Sequence, residues 1–275
     1  MLQSRESKVA NLYSKAQLTE IASQLGTAYH EGEKEILRRI QAAELTVWQQ
    51  ARAQQQLLLI RDALDEMGEA TVEWGQIHLP GLYQAGMDVA NDVFKKAPPE
   101  ELAALHTESI KLVGENLAVR MDDGLSVVGR QVDDVFRQAA LNSLQQATIL
   151  GETRRQATKQ MVQELLDQGV TAFVDKRGTQ WSLGRYSEMV ARTTSREAQT
   201  QGTVNRQAEL GEDLVEISSH GGACPLCEPW EGQILSISGN SDKYDSLGNA
   251  EAAGLFHPNC LHVAMPYSER YAGAA

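Results

Sequence analysis

Apolar residues recur at helical spacing through most of the first 150 residues. From Leu18 to Met67 the chain is rich in Ala, Gln, Glu, Leu and Arg, which lose little freedom in a helix, so one long helix or two is predicted there. A break is predicted at His78-Leu79-Pro80-Gly81, after which Leu82, Ala85, Val89 and Val93 resume the helical period. Pro98-Pro99 predicts a second break. Beyond it Leu105, Leu112, Val113 and Leu117 mark one helix, and Leu125, Val128, Val132, Val135 and Ala139 mark a further one. No proline lies before residue 80 or between 100 and 224, so long helices are permitted. These stripes read as core packing rather than as a cofactor site.

The pattern changes after residue 150. Thr153-x-x-Gln156 has the form of a capping box, and Ala157, Met161 and Leu165 continue a short helix that Gly169 closes. Thr171–Val174, Asp175–Gly178 and Thr179–Ser182 alternate and turn as a β-hairpin does. A helix over about Arg185–Glu209 and strands at Asp213–Ser218, Gln233–Ile237 and Leu261–Met265 follow, separated by loops rich in Gly, Pro, Ser and Asn. The predicted fold class is α+β: an elongated all-helical module over residues 1–150, then a small α+β domain over 151–275 with a zinc-stapled loop region.

Charge and composition narrow the function. With 25 Lys and Arg against 37 Asp and Glu, the 275-residue chain carries a formal charge of −12. Such a chain is a poor non-specific nucleic-acid binder, because that binding rests on neutralising phosphates; any DNA contact must be local. The charge is uneven: residues 154–206 hold nine Lys and Arg against five acids, whereas residues 207–275 hold two against ten. Lys176, Arg177, Arg185, Arg192 and Arg196 are therefore the candidate contacts for DNA or an acidic partner, although a solvated helix face explains them equally well. No apolar run reaches the ~18 residues of a membrane span and the start is polar, so a soluble protein outside the Sec route is expected.

The chemistry-bearing residues are concentrated. All three cysteines and three of the six histidines lie between residues 220 and 262: His220, Cys224, Cys227, His257, Cys260 and His262. Cys224-Pro-Leu-Cys227 and His257-Pro-Asn-Cys260 share a two-residue spacing that lets two ligands on one turn face one ion. Cys224, Cys227, His257 and Cys260 would make a closed Cys3His zinc site, with His262 or His220 as alternative nitrogen ligands. A staple closing a loop of about 30 residues would compensate for a region poor in large apolar side chains. The alternative is a set of metal-free buried thiols and loop histidines.

A catalytic use finds less support. A zinc deaminase needs Pro-Cys-x-x-Cys, whereas the order here is Cys224-Pro-Leu-Cys227. There is no P-loop and no G-x-G-x-x-G. A nucleophilic pair of Cys260 with His262 or His220, and a nuclease-like site at His257, Asn259 and His262 with an open metal position, stay as alternatives.

Several segments in order resemble tailed-phage minor capsid proteins of the minor capsid protein 2 type, related to MuF-like head morphogenesis proteins. They are Ala172–Ser182, Tyr186–Thr194 with Gly202, Val215–His220, Cys224–Cys227 with Gly232–Gly239, and Gly254–His262. Some members of that family lack counterparts of Cys224, Cys227 and His257 while keeping those of His220, Cys260 and His262, and Leu261 stands where relatives often have Arg. The resemblance implies a structural head protein rather than an enzyme. It implies association with the portal and with major capsid or scaffold protein in the host cytoplasm during assembly, then a place inside the virion head near the portal. It also leaves contact with packaged double-stranded DNA open. The other readings are a virion-associated metal-dependent enzyme and a zinc-stapled DNA-binding module.

Overall fold

A computed structural model describes residues 12–44, 49–145, 163, 169–175, 178–219 and 224–272. Its main elements are α1 (Lys15–Ala42), α2 (Gln50–Phe94), α3 (Ala104–Gln145), β1 (Ala172–Val174), β2 (Gln180–Ser182), α4 (Leu183–Glu209), β3 (Leu214–Ile217), β4 (Ile234–Ser236), α5 (Leu247–Ala252), β5 (Ala264–Tyr267) and α6 (Glu269–Ala272). The α+β class holds, with helices first and a small sheet-bearing region towards the C-terminus. The expected capping box at Thr153 and the boundary near residue 150 lie outside the described residues.

Two predicted helix breaks have different fates. Pro98-Pro99 does separate α2 from α3. Pro80 does not break the chain: it lies inside the 45-residue α2. A proline in a helix interior costs ~3 kcal/mol through a lost hydrogen bond and a ring clash. Leu79, Leu82 and Tyr83 around it are all nearly fully buried, and that burial offsets the cost. The two helices expected after Pro99 are one, α3, because no proline interrupts it. Its buried face begins at His106 and continues through Val113, Leu117, Met121, Leu125, Val128, Val132 and Val135. Leu105 and Leu112, expected in the core, are instead 51% and 56% exposed, one position off that face.

The chain folds into two compact units, each assembled from segments distant in sequence. One comprises residues Ser23–Glu73 and Ala118–Glu188. In it the expected hairpin forms as β1–β2, with Phe173 opposite Trp181, and Asp175 ties the turn by accepting from the Thr179 amide (2.9 Å) and Trp181 Nε1 (3.0 Å). Buried Glu33 accepts from the amide of Leu183, the first residue of α4, at 2.8 Å and so caps that helix.

The other unit comprises Met1–Ala22, Trp74–Leu117 and Met189–Ala275. It contains an antiparallel sheet in the order β4–β3–β5, with Val215 opposite both Leu235 and Pro266. Strand β5 starts three residues later than the predicted Leu261. Its Pro266 is tolerated because β5 is an edge strand, and Leu261 to Val263 lead into it as a loop. Val215 and Ile217 of the central strand are fully buried, and Leu235, Leu247, Leu255, Ala264 and Cys227 pack with them.

Candidate metal centre

Two turns carry the Cys/His donors. In the first, the Cys224 carbonyl accepts from the amides of Cys227 (3.0 Å) and Glu228 (2.9 Å), and the chain runs on into a short 3-10 helix, Glu228–Trp230. In the second, the His257 carbonyl accepts from the Cys260 amide at 2.9 Å. Pro258 presets the turn, and Asn259 takes φ +66°, a left-handed conformation that asparagine tolerates better than most residues. Both proline-containing motifs therefore form the tight turns their spacing suggested.

The two turns face each other. Cys224 Sγ lies 3.0 Å from His257 Nε2, and Cys227 Sγ lies 3.5 Å from Cys260 Sγ. Two overlapping triads, Cys224–Cys227–His257 and Cys227–Cys260–His262, each have donor atoms within 4.8 Å of one another. A tetrahedral zinc with its usual bond lengths would set ligand-to-ligand edges of about 3.7 Å between sulfurs and about 3.6 Å between sulfur and nitrogen. The donor atoms of each triad thus lie close enough together to hold a metal ion. Cys227 belongs to both triads and is 1% exposed, inside the apolar cluster of the sheet.

His257 and His262 are each oriented by their second ring nitrogen. His257 Nδ1 lies 2.8 Å from the Pro258 carbonyl, which leaves Nε2 towards Cys224. His262 has Nδ1 3.3 Å from Cys260 Sγ and Nε2 3.0 Å from Glu231 Oε1. Each arrangement matches the carbonyl or carboxylate partner that zinc-binding histidines use. Glu231 was not singled out from the sequence; it is one of many acids in the C-terminal segment, and nothing in the local pattern marks it. His220 lies outside the described residues.

The thiols differ in proton affinity. At Cys224 burial pushes upward, but the amides of Cys227 and Leu226 and the His257 ring outweigh it and bring the thiol down to about 7. At Cys227 burial, joined by repulsion from Cys260 and Cys224, pushes the thiol up to about 12. A cation among the sulfurs is the natural compensation for a cluster that otherwise resists full ionisation.

Lys176 and Arg177 lie outside the described residues, and Arg185 is exposed in the unit containing the hairpin. Arg192 and Arg196 belong to the other unit, one turn apart on α4, and both are half-buried beside the Cys260 loop. Among the described residues no helix is long and apolar enough to cross a membrane.

No solved structure matches the chain. A protein named "Structural protein" from Lactococcus phage LL-H is 28% identical over 107 residues. That match takes in 36% of this chain and spans 29% of the relative's length. The model of the family described as phage minor capsid protein 2 matches residues 14–274, almost from end to end, and the chain belongs to that family.

Proposed function

We propose that this phage structural protein joins the portal and the major capsid or scaffold protein as the procapsid assembles in the host cytoplasm, and stays inside the head near the portal. Residues 1–150 serve as the docking arm, and residues 151–275 form a MuF-like domain that zinc holds together. The observation that carries this reading is the family match over residues 14–274, and the two overlapping Cys/His triads support the zinc. The docking role is supported by Leu105, Leu112 and Val119, exposed apolar residues that recur every seven positions along α3. Co-expression with the portal tests it: a stable low-copy complex that purifies with procapsids is expected, and a chain absent from both portal complexes and virions overturns it.

The metal proposal assigns a structural zinc to Cys224, Cys227, His257 and Cys260, with His262 or His220 as substitutes for His257. Zinc there would tie the Cys224 turn to the His257 turn and add no reactive centre. Metal content and X-ray absorption at the zinc edge test this directly. One zinc per chain with three sulfurs and one nitrogen supports the closed staple; a water-filled position would turn the site towards hydrolytic chemistry.

A second, enzymatic reading has one observation in its favour. Cys260, His262 and Glu231 form a thiol–imidazole–carboxylate relay at 3.3 and 3.0 Å. That order would suit a cysteine nucleophile with an oriented base. The assembly reading is preferred because the same Cys260 sulfur sits 3.5 Å from buried Cys227. A third role, contact with packaged DNA through Lys176, Arg177, Arg185, Arg192 and Arg196, would be confined to local patches on so acidic a chain.

A further inference from the structure

The loop bearing Cys260 also walls a cavity of about 190 Å³ whose lining includes Lys15, Arg192, Thr193, Arg196, Asn259 and Cys260. Three cations and no carboxylate among the described lining residues is an unusual composition for a chain of net charge −12. Arg192 and Arg196 reach it from successive turns of α4, and Lys15 stands in the first turn of α1, where the helix dipole adds partial positive charge.

Arg192 is poorly compensated among the described residues. Arg192 Nε is buried with no hydrogen-bond partner among the described residues, and its Nη2 reaches only Asn259 Oδ1, at 3.5 Å. Arg196, one turn further along α4, lines the same cavity beside Cys260. A buried guanidinium nitrogen left without a partner stays costly until an acceptor meets it.

We infer that this cavity is an oxyanion site that takes a phosphate group between Arg192, Arg196 and Lys15. The guanidinium fork matches tetrahedral phosphate oxygens with two parallel hydrogen bonds, and Lys15 adds a point charge at the mouth. Three positive charges favour a multiply charged anion over a single carboxylate. The volume exceeds the ~30 Å³ share of one water several-fold, so the group fits with part of its hydration. The inference rests on this geometry and not on the docking role or the zinc. It also narrows the five basic residues singled out from the sequence to two, and adds Lys15.

The experiment uses the full-length chain. Inorganic phosphate is titrated at constant ionic strength against a chloride control, read by thermal unfolding and calorimetry, for the wild type and for R192Q, R196Q and K243Q. Saturable binding by the wild type is expected, weakened at least tenfold in R192Q and R196Q and unchanged in K243Q, whose site lies on an exposed ion pair with Glu269. Circular dichroism establishes that each variant is folded; the wild-type titration decides the matter even if R196Q is not. A short DNA duplex added to the phosphate complex separates the sources. Displacement of phosphate identifies a nucleic-acid backbone as the ligand, and its absence identifies the free ion; both support the site. No saturable effect of phosphate on the wild type overturns it, as does equal binding of acetate or equal weakening in K243Q.

Discussion

Gly202 of α4 meets the backbone carbonyl of Tyr83 in α2 so closely that a methyl group at position 202 would collide with that oxygen. The contact is reciprocated: a methyl at Gly86 of α2 would collide with the carbonyl of Gln199 in α4. Two glycines thus bring two helix backbones together, and Thr203 Oγ1 donates to the Gly86 carbonyl across the crossing at 3.0 Å.

Gly202→Ala and Gly86→Ala are therefore each expected to destabilise the protein by about 1–3 kcal/mol or more, because backbone rather than a flexible side chain must yield. Gly248→Ala in α5 meets nothing within 4 Å and is expected to be neutral or slightly stabilising. Urea unfolding of the three variants measures the contrast; equal midpoints would remove the close crossing.

Near that crossing lies a buried polar network. His106, fully buried, has Nδ1 2.9 Å from Tyr83 Oη and Nε2 3.1 Å from Glu209 Oε2, and Arg206 donates to Glu209 at 2.5 Å and to Asn91 at 2.7 Å. The Arg206 hydrogen bond, helped by His106, holds the Glu209 carboxyl below its usual range. A depressed folded-state value means that its contribution is present above the unfolded value near 4.5 and is lost as pH falls through the folded one. Glu209→Gln is expected to lower stability at neutral pH and to flatten the acid limb of the stability curve. Thermal melts from pH 3 to 7 read this directly, and an acid limb as steep as that of the wild type would contradict it.

Glu33 should behave in the opposite sense. Burial raises its carboxyl above the usual value, although the amides of Leu183 and Gly184 pull it down. A raised folded-state value contributes stability that is present below about 4.5 and is lost as pH rises through the folded value. Glu33→Gln keeps an oxygen to accept from Leu183 without burying a charge. It is expected to gain on the wild type as pH climbs from 4 to 7, and a constant difference across that window would show that Glu33 is not titrating there.

What could be read from the sequence divides by range. The Cys-Pro-Leu-Cys and His-Pro-Asn-Cys turns, the hairpin at Phe173–Trp181 and the helix ending at Glu209 are local, and their residues specify them. Pro80 misled because a local breaker was overridden by burial of its neighbours. Leu105 misled because apolar identity does not fix the phase of a helix face when His106 beside it is the buried residue. The His106–Glu209 and His262–Glu231 pairings span 103 and 31 residues, and no local periodicity announces either. Gly202 belonged to the segments that resembled the family, but its reason, the Tyr83 carbonyl, exists only in three dimensions.

The nitrogen ligand of the proposed zinc site can be assigned by comparing two histidine variants. If His257 completes the set with Cys224, Cys227 and Cys260, His257→Ala is expected to lower zinc affinity by orders of magnitude, since it removes a direct ligand next to Cys224. His262→Ala would then cost about 10–100-fold, the usual effect of losing a group that supports a ligand from behind. Glu231→Gln should follow His262→Ala, because its carboxylate lies 3.0 Å from that ring. Competition with a chromophoric chelator measures all three. The reverse order would make His262 the ligand and Glu231 its orienting partner, freeing the His257 ring to act only as a hydrogen-bond partner of Cys224.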